Sequence, residues 1–264
     1  MTTKAYIGTA DSLFAGRAYE GALYLLNGMK GRPVSLLTKV NLGTPLLGVA
    51  KGIINGATGA GEAPNESTIT YYAATQGTNP QNPSTPLSTA SIVTADGTRT
   101  CIALDVPRNI TTAIDTAVGT ITFVITGYDL YRTKMVETIT IAAGQTATAG
   151  KKAFKYIWSM AITSTGNDSA KTVDVGFGDV LGLPYYLEEK CDLLQVWFDD
   201  AVESPAAVAA GVTTTPSATT GDVRGTVDFT GTLNGAKKCK VYMHISDSNA
   251  ATARGLLGKV QYAG

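Results

Sequence analysis

Short apolar or alternating segments recur along most of this chain, and turn residues separate them roughly every 8 to 15 positions. Segments this short are typical of β-strands, whose side chains alternate between the two faces of a sheet. Helical segments long enough to connect parallel strands do not lie between them, which argues against a βαβ fold. The spacing therefore predicts an all-β chain, a jelly roll or another β-sandwich.

Turn signals and alternation identify three hairpins. Asp96-Gly97 lies between two apolar pairs, and Asn234-Gly235 lies between two longer segments of strand character. We expect hairpins over residues 91–104, 120–141 and 222–245. The middle hairpin joins TITFVIT to KMVETITI through a polar loop.

Several further strands are expected from apolar content and alternation. In order along the chain they cover residues 154–162, 173–177, 193–198 and 206–213. Gly178-Asp179 marks a turn that would end the second of these strands. Pro184 restricts its neighbours to extended backbone, so residues 183–187 are expected to be extended as well.

The start of the chain lacks this regularity. Apolar residues at helical spacing over residues 11–29 predict a short helix with Asp11 or Ser12 as its N-cap. Residues 55–90 are rich in Gly and Pro, which indicates a long loop with one strand over residues 68–73. Loops of this length usually contact a neighbour or carry a function. We therefore divide the chain into an irregular N-terminal arm or insertion, residues 1–90, and a β domain, residues 91–264.

Low charge and abundant threonine narrow the class of protein. The chain has 38 Thr and 29 Gly in 264 residues, and Thr suits a pleated, half-exposed strand. Charged residues make up 16%, below the roughly 25% of an average soluble protein. We therefore expect copies of the chain or a partner to cover part of the surface. The 21 basic and 21 acidic side chains cancel, so no general attraction for nucleic acid or anionic lipid is expected.

Targeting signals are not visible in the sequence. No run approaches the roughly 18 apolar residues of a membrane span. No apolar segment of the kind found in secretory signals follows Met1. We expect no membrane partner, and synthesis in a cytoplasm.

The residues that enzymes and metal sites need are scarce. His244 is the one histidine, which excludes sites with several His ligands and leaves a single base for any Ser-His-Asp or Cys-His arrangement. Cys101, Cys191 and Cys239 lie far apart with no CxxC pair, so we expect reduced thiols. Neither glycine-rich run has the spacing of a nucleotide-binding loop. We expect no catalytic residue, no cofactor and no metal.

Two acidic clusters flank the segment 193–198. Carboxylates that neighbour each other along one edge do not face each other across a cleft, as glycosidase chemistry requires. We interpret both clusters as solvated loops, with a calcium site in the second as the alternative. The members are Glu188, Glu189 and Asp192 before the segment, and Asp199, Asp200 and Glu203 after it.

Twelve tyrosines supply most of the aromatic area. Tyrosine combines an apolar ring with a polar tip and is favoured at protein interfaces. The alternative is that many of them simply complete strands. The candidate interface residues are Tyr71, Tyr72, Tyr128, Tyr131, Tyr185 and Tyr186.

A succession of short motifs runs from residue 101 to residue 245. In chain order it consists of Pro107-Arg108-Asn109, TGYD at 126–129, ETIT at 137–140, KAFK at 152–155, GFGDVLGLP at 176–184 and GDVRG at 221–225. This succession resembles the cement, or decoration, proteins of tailed-bacteriophage heads. None of the motifs is catalytic, and the resemblance rests on their order.

The resemblance implies a jelly-roll β domain that clusters as trimers on the outside of the capsid and braces adjacent subunits of the major capsid protein. The chain would then be a structural, non-enzymatic virion protein, made in the cytoplasm of a bacterial host. Its partners would be the major capsid protein and further copies of itself. The first hundred residues lie outside the resemblance.

Two other functions fit the same sequence. A tail tube or head-tail neck component would form sixfold or twelvefold rings rather than trimers. A carbohydrate-binding β-sandwich would stack exposed aromatic rings on sugars. Trp158 and Trp197 both lie inside apolar segments, which argues against an exposed stacking platform.

Overall fold

The computed structural model describes residues 35–57, 68–72, 88–115, 119–165, 172–212, 215–246 and 261. These residues form fifteen strands and one 3-10 turn, Lys190–Asp192, so the expected all-β class is confirmed. The strands are β1 (Ser35–Gly43), β2 (Val49–Ala57), β3 (Thr68–Tyr72), β4 (Ser88–Thr94), β5 (Gly97–Ile114), β6 (Thr120–Tyr128), β7 (Lys134–Ile141), β8 (Ala147–Ala149), β9 (Phe154–Thr165), β10 (Val173–Gly182), β11 (Leu193–Phe198), β12 (Ala201–Glu203), β13 (Ala207–Ala209), β14 (Thr226–Asp228) and β15 (Cys239–Ser246). Among the described residues, no helix is long and apolar enough to cross a membrane.

The strands form two antiparallel sheets. The small sheet has the order β1-β15-β11-β12. The large sheet follows the path β13-β14-β10-β5-β9-β6-β7, with β2 on β10, β3 on β9, and β4 and β8 on β5. Together the curled sheets make a β-sandwich.

Two apolar clusters hold the sheets in place. The first is supplied entirely by β2, β5, β6, β7, β9 and β10, so the large sheet curls and packs on itself. The second joins inward residues of the small sheet, among them Val40, Val196 and Val241, to Leu181 and Val227 of the large sheet. Full burial of such side chains contributes about 1.5–3 kcal/mol each. The second cluster is the core of the sandwich.

Strand β5 is 18 residues long and changes partners along its length. Its first part pairs with β4 and its last part with β10, while β9 lies along its other edge. The change occurs at Pro107, which has no N–H to donate to a ladder. Ala103 pairs with Tyr156 and Arg108 with Phe154, so four residues of β5 bulge opposite one residue of β9.

Lys155 is the one residue of β9 opposite this bulge. Its side chain binds two backbone carbonyls of β5 that have no strand partner there. Lys155 Nζ donates to the carbonyl oxygens of Leu104 and Asp105, at 2.5 and 2.9 Å. A buried carbonyl without a partner would cost stability. The bulge and the lysine that caps it are therefore one structural unit.

Two of the three expected hairpins are confirmed. Thr94 and Gly97 close the β4–β5 hairpin around Asp96, and Gly97 has the positive φ of +97° that favours glycine. Strands β6 and β7 pair from Ile121–Ile141 to Tyr128–Lys134. The strands expected over residues 154–162 and 193–198 are also present, the first extending to Thr165.

The expected hairpin over residues 222–245 is wrong. β14 pairs with β10 and β13 in the large sheet, whereas β15 pairs with β1 and β11 in the small sheet. Asn234 still forms a turn, because its side-chain oxygen accepts the N–H groups of Ala236 and Lys237 at 3.0 Å. Gly235 N–H donates to the carbonyl of Pro45 at 2.8 Å, so this turn joins a different part of the chain.

Two strand ends also differ from expectation. β10 continues through Gly178-Asp179 to Gly182, and Asp179 accepts the N–H of Gly48 at 2.6 Å instead of closing a turn. The strand expected over residues 206–213 is confined to Ala207–Ala209. The first difference comes from a partner far away in the chain, Gly48.

The first 90 residues contribute strands to both sheets. β1 pairs with β15 along the small sheet, and β2 pairs with β10 in the large sheet. The strand expected over residues 68–73 is present as β3. The helix expected over residues 11–29 lies outside the described residues.

Candidate interaction surface

Three of the six candidate tyrosines come together. Tyr131 follows the end of β6, and its hydroxyl donates to the carbonyl of Pro184 at 2.8 Å, which brings it beside Tyr185 and Tyr186. All three side chains are half-buried. The guanidinium carbon of Arg224 lies 4.7 Å from the centre of the Tyr131 ring. This group is amphipathic and partly accessible, as an interface residue must be.

The other three candidates lie elsewhere. Tyr128 is 1% exposed and packs against Ile92 and Cys101, so its side chain does not reach the surface. The expected surface role of Tyr128 is therefore wrong. Residues of β6 alternate between outward and inward positions as far as Thr126. The pairing of β6 with β9 then shifts register between Thr126 and Gly127, and Tyr128 is buried. Tyr71 and Tyr72 lie on β3, whose backbone pairs with β9, away from the Tyr131 group.

Asp129 and Arg224 form a buried ion pair. Their Oδ2 and Nη1 atoms are 2.7 Å apart, and both side chains are at most 3% exposed. Asp129 Oδ1 also accepts the N–H groups of Tyr131 and Thr133, each at 2.8 Å. Burial raises the pKa of Asp129, and the charge of Arg224 opposes that rise. The pair fixes the turn after β6 to the segment before β14.

A second set of buried charges lies next to this pair. Glu137 Oε1 accepts the N–H groups of Lys151 and Lys152 at 2.5 and 3.2 Å. Burial raises the pKa of Glu137 to about 7, against the lowering effect of those N–H groups and of the Lys152 charge. A Cβ at Gly150 would lie 2.6 Å from Glu137 Oε2, so glycine lets the chain approach the carboxylate.

Asp222 and Gln261 complete this set. Asp222 accepts the N–H groups of Ala153 and Arg224 at 3.1 and 2.8 Å. Gln261 is fully buried, its side-chain oxygen accepts the N–H of Val223, and its carbonyl accepts Lys152 Nζ at 2.8 Å. We call Asp129, Glu137, Lys152, Asp222, Arg224 and Gln261 the polar core.

Arg108 organises a further buried site at the β5 bulge. Its side chain is 0% exposed, and Nη2 donates to the carbonyl of Leu46 at 2.9 Å and to Asp105 Oδ2 at 3.1 Å. Asp105 in turn accepts the N–H of Leu46 at 2.7 Å. The guanidinium also lies 4.9 Å from the Phe177 ring centre. These contacts hold the link between β1 and β2.

The motif residues meet at these two buried sites. The polar core receives one or more residues from each of TGYD, ETIT, KAFK and GDVRG, and the bulge site receives Arg108 and Lys155. Asp179 of GFGDVLGLP binds the same β1–β2 link through Gly48. The order of these motifs along the chain did not indicate that they are in contact. Apart from the position of Glu137 in an alternating strand, nothing in the sequence indicates that its side chain is buried.

The side chains that could bind a metal ion are dispersed in the part of the chain that the structure describes. No group of three or more His, Cys, Asp or Glu residues there could hold a metal ion. In the second acidic cluster, Asp200 pairs with Lys240, Asp199 lies 3.9 Å from Lys237, and Glu203 accepts backbone N–H groups of residues 230 and 231. The three carboxylates are thus directed to three separate partners.

The cysteines differ in environment. Cys101 and Cys239 are fully buried, and burial raises the pKa of their thiols to about 11 and about 12. Cys191 is exposed, and its Sγ lies 3.4 Å from Glu189 Oε2. All three are free thiols, as expected from their spacing.

The outward side of the small sheet is the second candidate surface, and we call it the outer face. Register places its residues in rows, because directly paired residues share a side. The rows are Asn41, Lys240, Trp197 and Val202; then Lys39, Tyr242 and Gln195; then Leu37 and His244. Val241 and Met243, which alternate with these residues, are fully buried. Tyr242 and His244 therefore lie on the side opposite to the core.

Aromatic rings stand at the centre of the outer face. The ring centres of Trp197 and Tyr242 are 6.0 Å apart with planes tilted by 55°. Trp197 Nε1 donates to Gln195 Oε1 at 3.1 Å, and Lys39 Nζ lies 5.9 Å from the Tyr242 ring centre. Trp197 lies inside an apolar segment, which argued against an exposed stacking platform, but its register opposite Val202 and Lys240 places it on the outer face.

A small apolar cleft lies between the sheets. Its volume is about 280 Å³, and Leu42, Val106, Leu130 and Leu181 line it. Leu130 is 41% exposed at its rim. A cleft of this size has room for one large side chain rather than for a typical small-molecule ligand.

Comparisons with known proteins give few relatives. No family model matches the chain, and no curated protein matches it. Among solved structures, a family 11 carbohydrate-binding module from Clostridium thermocellum, in complex with a β-1,3-1,4-mixed-linked tetrasaccharide, aligns with 50% of this chain and 96% of its own. The identity is 14% and the TM-score is 0.21. A score this low supports no inference about a site or ligand.

Proposed function

We propose that this chain is a structural protein of a tailed-bacteriophage virion, a decoration protein that binds the outside of the major capsid lattice as trimers and stabilises the head. The observation that supports this is the meeting of the motif residues in the polar core and at the β5 bulge. The resemblance therefore rests on residues that act together in holding the fold.

The distances along the chain make this meeting informative. Arg224 pairs with Asp129, and Lys152 contacts the carbonyl of Gln261, although roughly a hundred residues separate the members of each pair. The fold, and not proximity in the sequence, brings these motif residues together at the polar core and at the bulge. We take this as support for the resemblance, which rests on the same motifs.

The use of the charges also suits a structural role. Buried ion pairs and their hydrogen bonds fix one arrangement of loops relative to strands, because breaking them leaves uncompensated charge inside the protein. The low charge of the chain leaves apolar side chains on the surface, including Leu47 at 49% and Val202 at 56% exposure. A rigid domain with such a surface is suited to permanent contacts.

The mechanism follows from mass action. Each copy would bury one surface against its trimer mates and another on the capsid lattice. Obligate contacts of about 2,000 Å² or more would stabilise the assembled shell, since a partner that binds only the assembled state shifts the equilibrium toward it. We assign the capsid contacts to the N-terminal arm, of which residues 1–34 lie outside the described residues, and to residues 75–87, which also lie outside them.

Two measurements test this function. The first is the mass in solution by light scattering, for which a trimer gives three times the 27.4 kDa of the chain. The second adds the purified protein to expanded phage heads prepared without it and counts the copies bound. Saturable binding with a raised melting temperature of the heads supports the proposal, and heads that remain undecorated contradict it.

A deletion variant locates the contact. Removing residues 1–30 is expected to preserve the β-sheet spectrum and to lower occupancy on heads. Unchanged occupancy would contradict the assignment of capsid contacts to the arm. Rings of six or twelve copies would instead favour the tail tube or neck function.

A further inference from the structure

The centre of the outer face combines aromatic rings with polar groups that point into solvent. Trp197 and Tyr242 are half-buried, and their neighbours Gln195, Lys39 and Asn41 are exposed. A saccharide presents apolar C–H faces edged by hydroxyl groups. Half-exposed rings bordered by hydrogen-bonding side chains match that pattern, since aromatic rings bind apolar faces and amides bind hydroxyls.

The charge on this side of the molecule is unbalanced. Lys237, Lys238 and Lys240 lie near the β11–β12 turn, which carries two carboxylates, Asp199 and Asp200, and Lys39 lies in the next row of the outer face. Lys237 lies 3.9 Å from Asp199, and Lys240 bonds Asp200. Within the described residues neither Lys39 nor Lys238 forms an ion pair, so two positive charges remain for a ligand.

The turn that supplies Asp200 is held in an unusual backbone conformation. Asp199 and Asp200 both have positive φ, at 51° and 64°, where glycine is the residue usually found. The carboxylate of Asp200 points to Lys240, and its pKa is lowered first by that hydrogen bond and then by the charges of Lys240, Lys238 and Lys39. The turn therefore keeps an ionised acceptor next to the lysines.

From this geometry we propose that the outer face binds an acidic oligosaccharide, one that carries carboxylates on its sugar rings. A ring of the saccharide packs on Trp197 and Tyr242, and a carboxylate on the same or the next sugar pairs with Lys39. Gln195 and Asp200 bind hydroxyl groups.

The observations favour a saccharide over an acidic protein. The cores of protein interfaces are depleted of charged residues and rich in apolar ones. Here lysines directly adjoin both rings in the register. A neutral saccharide would leave the charges of Lys39 and Lys238 without a role. This inference does not depend on the function in the phage head.

The test is a calorimetric titration of the full-length protein with hexagalacturonate as the acidic probe. Cellohexaose serves as the neutral probe, and short polyglutamate serves as an acidic probe without sugar rings. We expect saturable binding of hexagalacturonate, weaker binding of cellohexaose and none of polyglutamate. Equal binding of both saccharides, equal binding of polyglutamate, or no binding of hexagalacturonate would each overturn the proposal.

Matched variants locate the site. Trp197→Ala and Lys39→Gln are each expected to weaken hexagalacturonate binding about ten-fold or more, as loss of an anchor residue does. Trp158→Ala removes the other tryptophan, which lies against Arg99 on the large sheet. Lys134→Gln removes a lysine that pairs with Asp96. Both controls are expected to bind like the natural protein, and binding that persists in Trp197→Ala would place the site elsewhere and overturn the assignment.

The Trp197→Ala variant must be shown to be folded. Its melting temperature and β-sheet spectrum are measured first, and Lys39→Gln, at an exposed position, provides the independent check if the tryptophan variant is unstable. Raising the salt concentration should weaken the binding of hexagalacturonate more than that of cellohexaose, because only the former uses the lysines. An equal salt response would count against the role of Lys39.

Discussion

Replacing Arg224 by Met removes the positive member of the buried pair and leaves Asp129 in place. The pair is at most 3% exposed with 2.7 Å between its charged atoms, and loss of one partner of such a pair costs about 3–5 kcal/mol. Arg224 also packs on the Tyr131 ring, so the upper part of that range is expected. The measurement is the free energy of unfolding in urea at pH 7.

The pH dependence of this variant gives a second readout. Burial already raises the pKa of Asp129, and without Arg224 it rises further. A group whose pKa is higher in the folded than in the unfolded state contributes stability at low pH and loses it as the pH rises through the folded pKa. The deficit of the Arg224→Met variant is therefore expected to shrink as the pH is lowered from 7 toward 5.

An exposed pair provides the control. Lys134 lies 3.6 Å from Asp96 with about half of each side chain exposed, so Lys134→Met is expected to cost about 0.2–1 kcal/mol. If Arg224→Met costs no more than this, the polar core does not stabilise the fold as argued. A double variant that also carries Asp129→Asn should be more stable than Arg224→Met alone, because the uncompensated charge is gone.

Three further results are expected. Burial raises the pKa of Glu137 to about 7. The protonated side chain therefore contributes stability that is fully present below about pH 4 and is lost as the pH rises through about 7. The Glu137→Gln variant should lack this pH dependence of the free energy of unfolding in urea. A chain that ends at residue 260 lacks the contacts of Gln261 with Lys152 and Val223 and should melt at a lower temperature than one lacking only the last three residues. A thiol reagent at pH 8 should label the exposed Cys191 quickly, and the two buried thiols only on unfolding.

Each of these results has a clear contrary outcome. A Glu137→Gln variant with the same pH profile as the natural protein would place the titration elsewhere. Equal melting temperatures of the two shortened chains would mean that the tail does not stabilise the polar core. Rapid modification of all three cysteines in the folded protein, measured by mass spectrometry, would contradict the burial of two of them.

Local patterns predicted the elements that depend on neighbours in the sequence. The β6–β7 hairpin was predicted correctly, because strand period and turn chemistry are local. The outward orientation of Trp197 was not predicted, because LLQVWF is apolar on both sides of the strand and its period does not show which residues point outward. The pairing of β11 with β12 and β15 decides that orientation.

Long-range partners account for what the sequence did not predict. The proposed hairpin of residues 222–245 failed because its two strands find better partners in different sheets, β14 on β10 and β15 on β1. The burial of Arg108 and Lys152 arises from carbonyls of Leu46 and Gln261, far away in the chain. No local period encodes such contacts.

The pairing of β1 with β15 has a consequence for how the protein is made. Ser35 pairs with Ser246, so about 200 residues are synthesised between the two strands. At the usual speed of translation this takes roughly 10–40 s, during which the apolar Val40 lacks the strand that covers it. The local β4–β5 and β6–β7 hairpins can form in that interval, whereas the small sheet must wait for the ribosome to finish β15, the last of its four strands. A nascent chain stalled before residue 239 should therefore bind holding chaperones through β1 and be released only when β15 emerges.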